Sequence, residues 1–401
     1  MGTVLRRYFD WAATAVPDVP EESCPDAGAF WGNPSSPHVE GREARLALED
    51  ARSRCARALG VRREEIFFTS GGTESNAIAL FSLLCKPRAR RPGGESRPAG
   101  SPAEFLYSSV EHPSIRENRA ALERLGVCCA EIGVERDGGV SAATLEKALE
   151  KNPGARMAAV MAVNNETGSI NGMKALSAAA KKRKEHLHIH CDLVQAAGKI
   201  PLDIDGWGID SASVSAHKIG GPRGIGLLWL KKPLDVFVRG GGQEGRIRPG
   251  TENTAGAREL AGALERRANA ETLDAAWREA SGRMAALLSL LADVPRFVPV
   301  PADRIARSGP GGDSRFSPWI LQAAFPGIPG EVMVRALDEK GFAVSTGSAC
   351  SSAEKKRPVL DAMGIDGETA FSAIRISQGW STTLGDIEAL AGAIKELCQT
   401  L

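Results

Sequence analysis

From about residue 40 to 250, short apolar runs alternate with helical patterns, and this constrains the fold more than any other feature of the chain. It is the order expected of parallel βαβ units, in which a helix returns the chain to the same sheet. EARLALEDARSRCARALG (43–60) repeats apolar residues every three to four positions and stops at Gly60, which predicts a helix with its glycine terminator. EIFFTS (65–70) then reads as a strand, GGTE as a tight turn and SNAIALFSLLC as a second helix. Further strands are expected at ARMAAVMAV (155–163), HLHIHCD (186–192), SASVSA (211–216) and GIGLLWL (224–230), building a twisted parallel sheet covered by helices.

After RPGTENTAG (248–256) the pattern changes to one long Ala/Leu/Arg-rich helical stretch through about 293, then a Gly/Pro-rich loop around 308–318. EVMVRALDEKG (331–341), FSAIRISQG (371–379) and TTLGDIEALAGAIKELCQTL (382–401) read as helix, strand and helix, the last with a Thr383…Asp386 cap. A chain of 401 residues exceeds the usual size of one core. The expected fold is α/β, with a large domain at 16–255 and a smaller α+β domain from 1–15 and 256–401. The Pro/Gly-rich basic insertion at 86–104 reads as a solvated surface loop. Lys+Arg 50 against Asp+Glu 49 leaves a net charge of +1, which points away from nucleic acid or an anionic membrane surface as partner. The eight cysteines are scattered without a CxxC pair, and the N-terminus has no apolar signal core. No window reaches the roughly 18 apolar residues of a membrane span. A cytoplasmic location is expected.

The segment SVSAHKIGGPRGIG (213–226) carries the most chemical information. Lys218 follows a short strand and precedes a glycine-rich turn. It is read either as a solvated lysine or as a cleft amine whose pKa desolvation lowers for Schiff-base chemistry. A pyridoxal phosphate enzyme also needs an anion cradle, a carboxylate for the pyridine nitrogen and a residue over the ring. FTSGGTESN (68–76) offers a glycine turn into a helix N-terminus, with Gly72 and the Thr73 hydroxyl as phosphate partners or simply as a turn. HCDLVQ (190–195) ends a strand with Asp192, at the sheet edge where open α/β folds bind ligands or merely cap the next helix. HLHIH sets His186, His188 and His190 on one strand face at a spacing seen in zinc ligands; no metal site is expected there.

Taken in order, these motifs resemble the NifS/IscS-like cysteine desulfurases of the class V aminotransferase group. The resemblance runs from YFDWAATAVPD (8–18) through GNPSSPH (32–38), FTSGGTES, SSVEHPSI (108–115), VNNETG (163–168), HCDLVQ and SAHKIGGPRGIG. It continues through GGGQE…RPGTENT (240–254), STGSAC and IRISQG. It implies the aspartate-aminotransferase-type fold (fold type I of pyridoxal phosphate-dependent transferases) and a homodimer with sites at the interface. By the same resemblance Lys218 is the Schiff-base lysine, Asp192 partners the pyridine nitrogen, and His112 stacks on the ring and helps move protons. Asn165 and Gln195 contact the ring hydroxyl. Gly72, Thr73, Ser215 and His217 hold the phosphate, with Thr251 reaching the neighbour's phosphate. Asn33 and Arg375 bind the substrate carboxylate. Cys350 carries sulfur as a persulfide, with Lys355, Lys356 and Arg357 available to lower its thiol pKa. Leu193, where the family commonly has a small residue, alters the expected packing against the ring, and Ala216 stands where glycine is frequent. The implied reaction takes L-cysteine to L-alanine and passes sulfur to a protein acceptor, for iron–sulfur clusters or tRNA thiolation. Selenocysteine lyase and another class V aminotransferase are the alternatives.

Overall fold

A computed structural model describes residues 6–18, 30–85, 104–302, 304, 315–347 and 356–401. Cys350, Lys355 and nearly all of the 86–104 insertion lie outside the described residues.

In chain order the strands are β1 (Arg7–Tyr8), β2 (Ile66–Thr69), β3 (Phe105–Ser108), β4 (Cys129–Ile132), β5 (Met157–Ala159) and β6 (His188–Asp192). They continue as β7 (Ser211–Ser215), β8 (Gly226–Leu230), β9 (Val298–Val300), β10 (Ile320–Ala324), β11 (Phe342–Ala343) and β12 (Ala373–Ser377). The main sheet has the order β2-β8-β7-β6-β5-β3-β4. All of its strands run parallel except β8, which is antiparallel to both β2 and β7. The sheet is thus mainly parallel, as expected, and β8 runs the other way for a simple reason. The link from Ser215 to Gly226 holds one short 3-10 turn and no crossover helix, so the chain can only double back.

Helix Val39–Leu59 ends as the sequence predicts, with Gly60 in the left-handed region at φ 67°. The long stretch to 293 is instead two helices, Thr254–Ala268 and Ala270–Ala292. Asn269 adopts an extended conformation between them, and its side chain accepts from the Glu271 N–H as the N-cap of the second. Leu260 and Leu264 of the first helix join the core formed by Leu48, Phe68, Ile189 and Trp229. That core therefore extends past the division expected at 255/256.

A second core gathers Phe9, Leu291, Phe325, Leu337, Ile374 and Leu390 around the antiparallel sheet β12-β10-β9. The first described residues belong with it, because β1 pairs in parallel with β11. Helix Leu384–Thr400 closes this side and shows the expected capping box between Thr383 and Asp386. Among the described residues no helix is long and apolar enough to cross a membrane.

Candidate active site

Parallel strands deliver their carboxyl ends to one edge of the sheet, and the loops leaving that edge carry the polar residues of interest. Asp192 and Ser215 are the last residues of β6 and β7. His112 follows β3 as the N-cap of helix Pro113–Arg124, and Gly72 opens helix Gly72–Cys85 just after β2. Together with Thr73, Asn165, Gln195, His217 and Lys218 they line one cavity of about 520 Å³. Asp10, Ala12, Ser345, Gly347 and Arg375, from the elements around the second core, close it from the other side.

The Lys218 amine donates to the Ala12 and Ala13 carbonyls, each at 2.7 Å. Burial and the nearby Arg375 cation push its pKa down to about 8, against the pull of Asp10 and Asp192. His217 bonds the Thr14 hydroxyl through Nδ1 at 3.2 Å, and burial lowers it to about 4. Gln195 donates from Nε2 to the Ala12 carbonyl and accepts at Oε1 from Lys199, both at 2.8 Å. Asp192 accepts from the Val194 N–H and from Asn76 Nδ2, both at 2.9 Å. Arg375 is almost fully buried in β12. It pairs with Asp10 at 2.7 Å and donates to the Asn165 carbonyl at 2.9 Å and the Gly347 carbonyl at 3.3 Å.

Several expected residues stand elsewhere. Asn33 is exposed, accepts from the Ser35 N–H within its own turn and does not line the cavity. Thr251 is also exposed and outside it. Leu193 is buried in the main core, so Val194 takes the cavity-facing position instead. Arg357 donates to the Thr346, Ala370 and Ala373 carbonyls, with Glu166 at 4.0 Å, while Cys350 lies outside the described residues. His186 precedes β6, and His188 and His190 both bond the Ser211 hydroxyl. The motif reading missed Asp10, Asn76 and Lys199, which touch the site through Arg375, Asp192 and Gln195. Asp10 and Asn76 lie inside the quoted motifs, yet a sequence shows no contact between distant segments.

The cavity fits pyridoxal phosphate. It holds an amine of lowered pKa, a buried carboxylate, and a helix N-terminus whose first-turn N–H groups attract a phosphate. A Cβ at Gly72 would stand 2.6 Å from Val194 Cγ2, so only glycine leaves that cradle open.

The model of the Aminotransferase class-V family matches residues 7–390. The chain belongs to this family. Within it the relatives are NifS/IscS-like cysteine desulfurases. "Cysteine desulfurase IscS" of Dictyoglomus turgidum is 34% identical, over 98% of this chain and 95% of its own. "Putative cysteine desulfurase IscS 1" of Bacillus subtilis is 32% identical over 99% of both. Among solved structures a NifS-like protein superposes with TM-score 0.85 at 30% identity, covering 99% of this chain and 100% of that one. "SspA in complex with cysteine" gives TM-score 0.75 at 27% identity, covering 92% and 98%. This class V member is a pyridoxal phosphate-dependent enzyme of fold type I.

Proposed function

We propose that this enzyme is a cysteine desulfurase. It takes L-cysteine, releases L-alanine and keeps the sulfur as a persulfide on Cys350. The observation that carries the reading is the convergence of Lys218, Asp192, His112 and Arg375 on one cavity, whose lining includes Gly347, three residues before Cys350 in the sequence. Relatives named cysteine desulfurase over nearly the whole chain, and a neighbour solved with cysteine, support the substrate.

Bound pyridoxal phosphate supplies an electron sink for the substrate's α-carbon. In this reading Lys218 anchors the cofactor, Asp192 faces its ring nitrogen and His112 covers the ring. Asn165 and Gln195 face its hydroxyl, while Gly72, Thr73, Ser215 and His217 hold its phosphate. Arg375 grips the substrate carboxylate through its planar fork, and Asn33 approaches only by leaving its turn. The Cys350 thiolate attacks the substrate sulfur as the carbon–sulfur bond breaks and the carbon takes a proton. One thiol and L-cysteine thus become one persulfide and L-alanine, with no external oxidant.

The same reading includes a homodimer in which exposed Thr251 reaches the neighbour's phosphate site. It also includes a cytoplasmic location, a protein sulfur acceptor serving iron–sulfur clusters or tRNA thiolation, and a small domain formed by both ends of the chain. The test supplies purified enzyme with L-cysteine and a reductant and measures alanine and sulfide together. Equal amounts from wild type and neither product from Cys350→Ala are expected. A Cys350→Ala enzyme that still releases alanine from selenocysteine marks a selenocysteine lyase instead. Pyruvate formed from alanine and a keto acid, with no sulfide from cysteine, marks an aminotransferase.

A further inference from the structure

Asn76 is fully buried at the centre of a hydrogen-bonded network whose proton positions all follow from one carboxylate. Asp192 Oδ2 accepts from Asn76 at 2.9 Å, so the amide nitrogen must face it. The other Nδ2 hydrogen reaches Ser114 Oγ at 2.8 Å. Asn76 Oδ1 is thereby turned to His190 Nε2 at 2.8 Å, which carries that ring's proton. His190 Nδ1 is left bare and accepts from the Ser211 hydroxyl at 2.7 Å.

On the cavity side, Ser114 Oγ receives a hydrogen from Asn76 and turns its own proton to His112 Nδ1, 2.8 Å away. The Ser114 backbone N–H points at the same nitrogen from 3.1 Å. Two donors aimed at Nδ1 leave no room for a proton there. The remaining proton of neutral His112 therefore sits on Nε2. Burial, with Lys218, Arg116 and Arg375 nearby, holds the ring below its usual pKa against the opposing pull of Asp192.

We propose that Asn76 is a positioning residue that orients Asp192 and the Ser114 hydroxyl, and that Ser114, through its backbone N–H and its hydroxyl together, locks His112 in the Nε2–H tautomer. His112 then carries its proton on Nε2, the nitrogen that Ser114 does not engage. The chemical consequence rests on the proposed roles of Asp192 and His112, but the placement of the proton does not.

The test uses holoenzyme labelled with 15N at histidine. Two-bond proton–nitrogen correlations recorded from about pH 5 to 9 report tautomer and titration across the range where histidine ordinarily titrates. His112 is assigned by its absence from His112→Gln. Wild type is expected to show a bare Nδ1 and a protonated Nε2. Asn76→Leu removes the donor shared by Asp192 Oδ2 and Ser114 Oγ while the Ser114 backbone N–H stays on Nδ1, so the Nε2–H tautomer should persist with a shifted His112 midpoint. Ser114→Ala removes one donor from the neutral ring and should raise the His112 midpoint by about half to one pH unit. An Nδ1–H tautomer in wild type overturns the proposal, as does a folded Asn76→Leu protein with unchanged His112 signals. Should Asn76→Leu fail to fold, an unchanged midpoint in Ser114→Ala overturns it equally. Because the readout is a proton position, its failure is distinct from failure of the desulfurase reading.

Discussion

Buried Lys199 and half-buried Lys218 are linked by three hydrogen bonds through Gln195 and the Ala12 carbonyl, and their surroundings make different predictions. Lys218 at about 8 is half neutral near pH 8 instead of near its ordinary 10.5. Only the neutral amine attacks an aldehyde, so covalent attachment of cofactor to the cofactor-free enzyme should accelerate with pH and level off just above 8. Stopped-flow absorbance measures this, and a rate still climbing toward 10.5 would refute the depressed value. Lys199 is pushed down to about 7 by burial and by the Lys218 and Arg375 cations. Its folded value lies below the unfolded 10.5, so the unfolded chain binds the extra proton between these limits. Stability from this group therefore rises with pH from 7 to 10.5, and below 7 the full cost of a buried ammonium is borne. Lys199→Met should raise the urea midpoint at pH 7 and flatten its rise toward pH 10, at equal protein concentration. A lowered midpoint with an unchanged slope would mean that the bond to Gln195 outweighs the burial.

At the scale of elements, strand ends and helix starts do the positioning. Helix Gly72–Cys85 begins so close to the Val194 side chain that residue 72 has no space for a Cβ. Gly72→Val should leave secondary structure intact by circular dichroism while weakening cofactor retention at least about tenfold, some 1.4 kcal/mol. Retention equal to wild type would show that the cradle lies elsewhere. At the opposite end of the chain the Thr383 cap supports a helix that carries Leu390 and Ile394 into the second core. Thr383→Ala should cost about 1 kcal/mol in denaturant unfolding and leave cofactor binding unchanged.

For the whole molecule, the cavity exists because two cores meet over it. Arg375 comes from β12 and Asp10 from the segment after β1, both beside the second core, and the bond from Arg375 to the Asn165 carbonyl, in the loop after β5, crosses to the main core. Arg375→Lys keeps the charge but loses the fork that serves Asp10 and the Asn165 carbonyl together. Its KM for L-cysteine should rise by about 100-fold, with a smaller loss in kcat. An equal fall in kcat with KM unmoved would refute its role at the carboxylate. Phe9 is fully buried in the second core, so Phe9→Ala should cost about 3–5 kcal/mol by equilibrium unfolding. Sedimentation should find twice the chain mass for the homodimer, and a monomer with full activity would remove Thr251 from the reading.

What the sequence determined by itself was local. Period and terminators set helix Val39–Leu59 with its Gly60 stop and the Thr383 capping box, because backbone and neighbouring side chains decide these within a few residues. The segment around Lys218 and the strand end at Asp192 also marked those two residues, and the family resemblance added His112 and Arg375. The tertiary structure decided what depends on distant segments. It set β8 antiparallel, split the long helix at Asn269, carried the main core past 255 and turned Leu193 inward. It brought Asp10 to Arg375, 365 positions away, Asn76 to His190, 114 positions away, and Lys199 back onto Gln195, four positions before it, as the backbone path allowed. Hydrogen-bond partners inside a packed site are chosen by three-dimensional proximity and by the need to satisfy every buried donor and acceptor, and a linear pattern encodes neither.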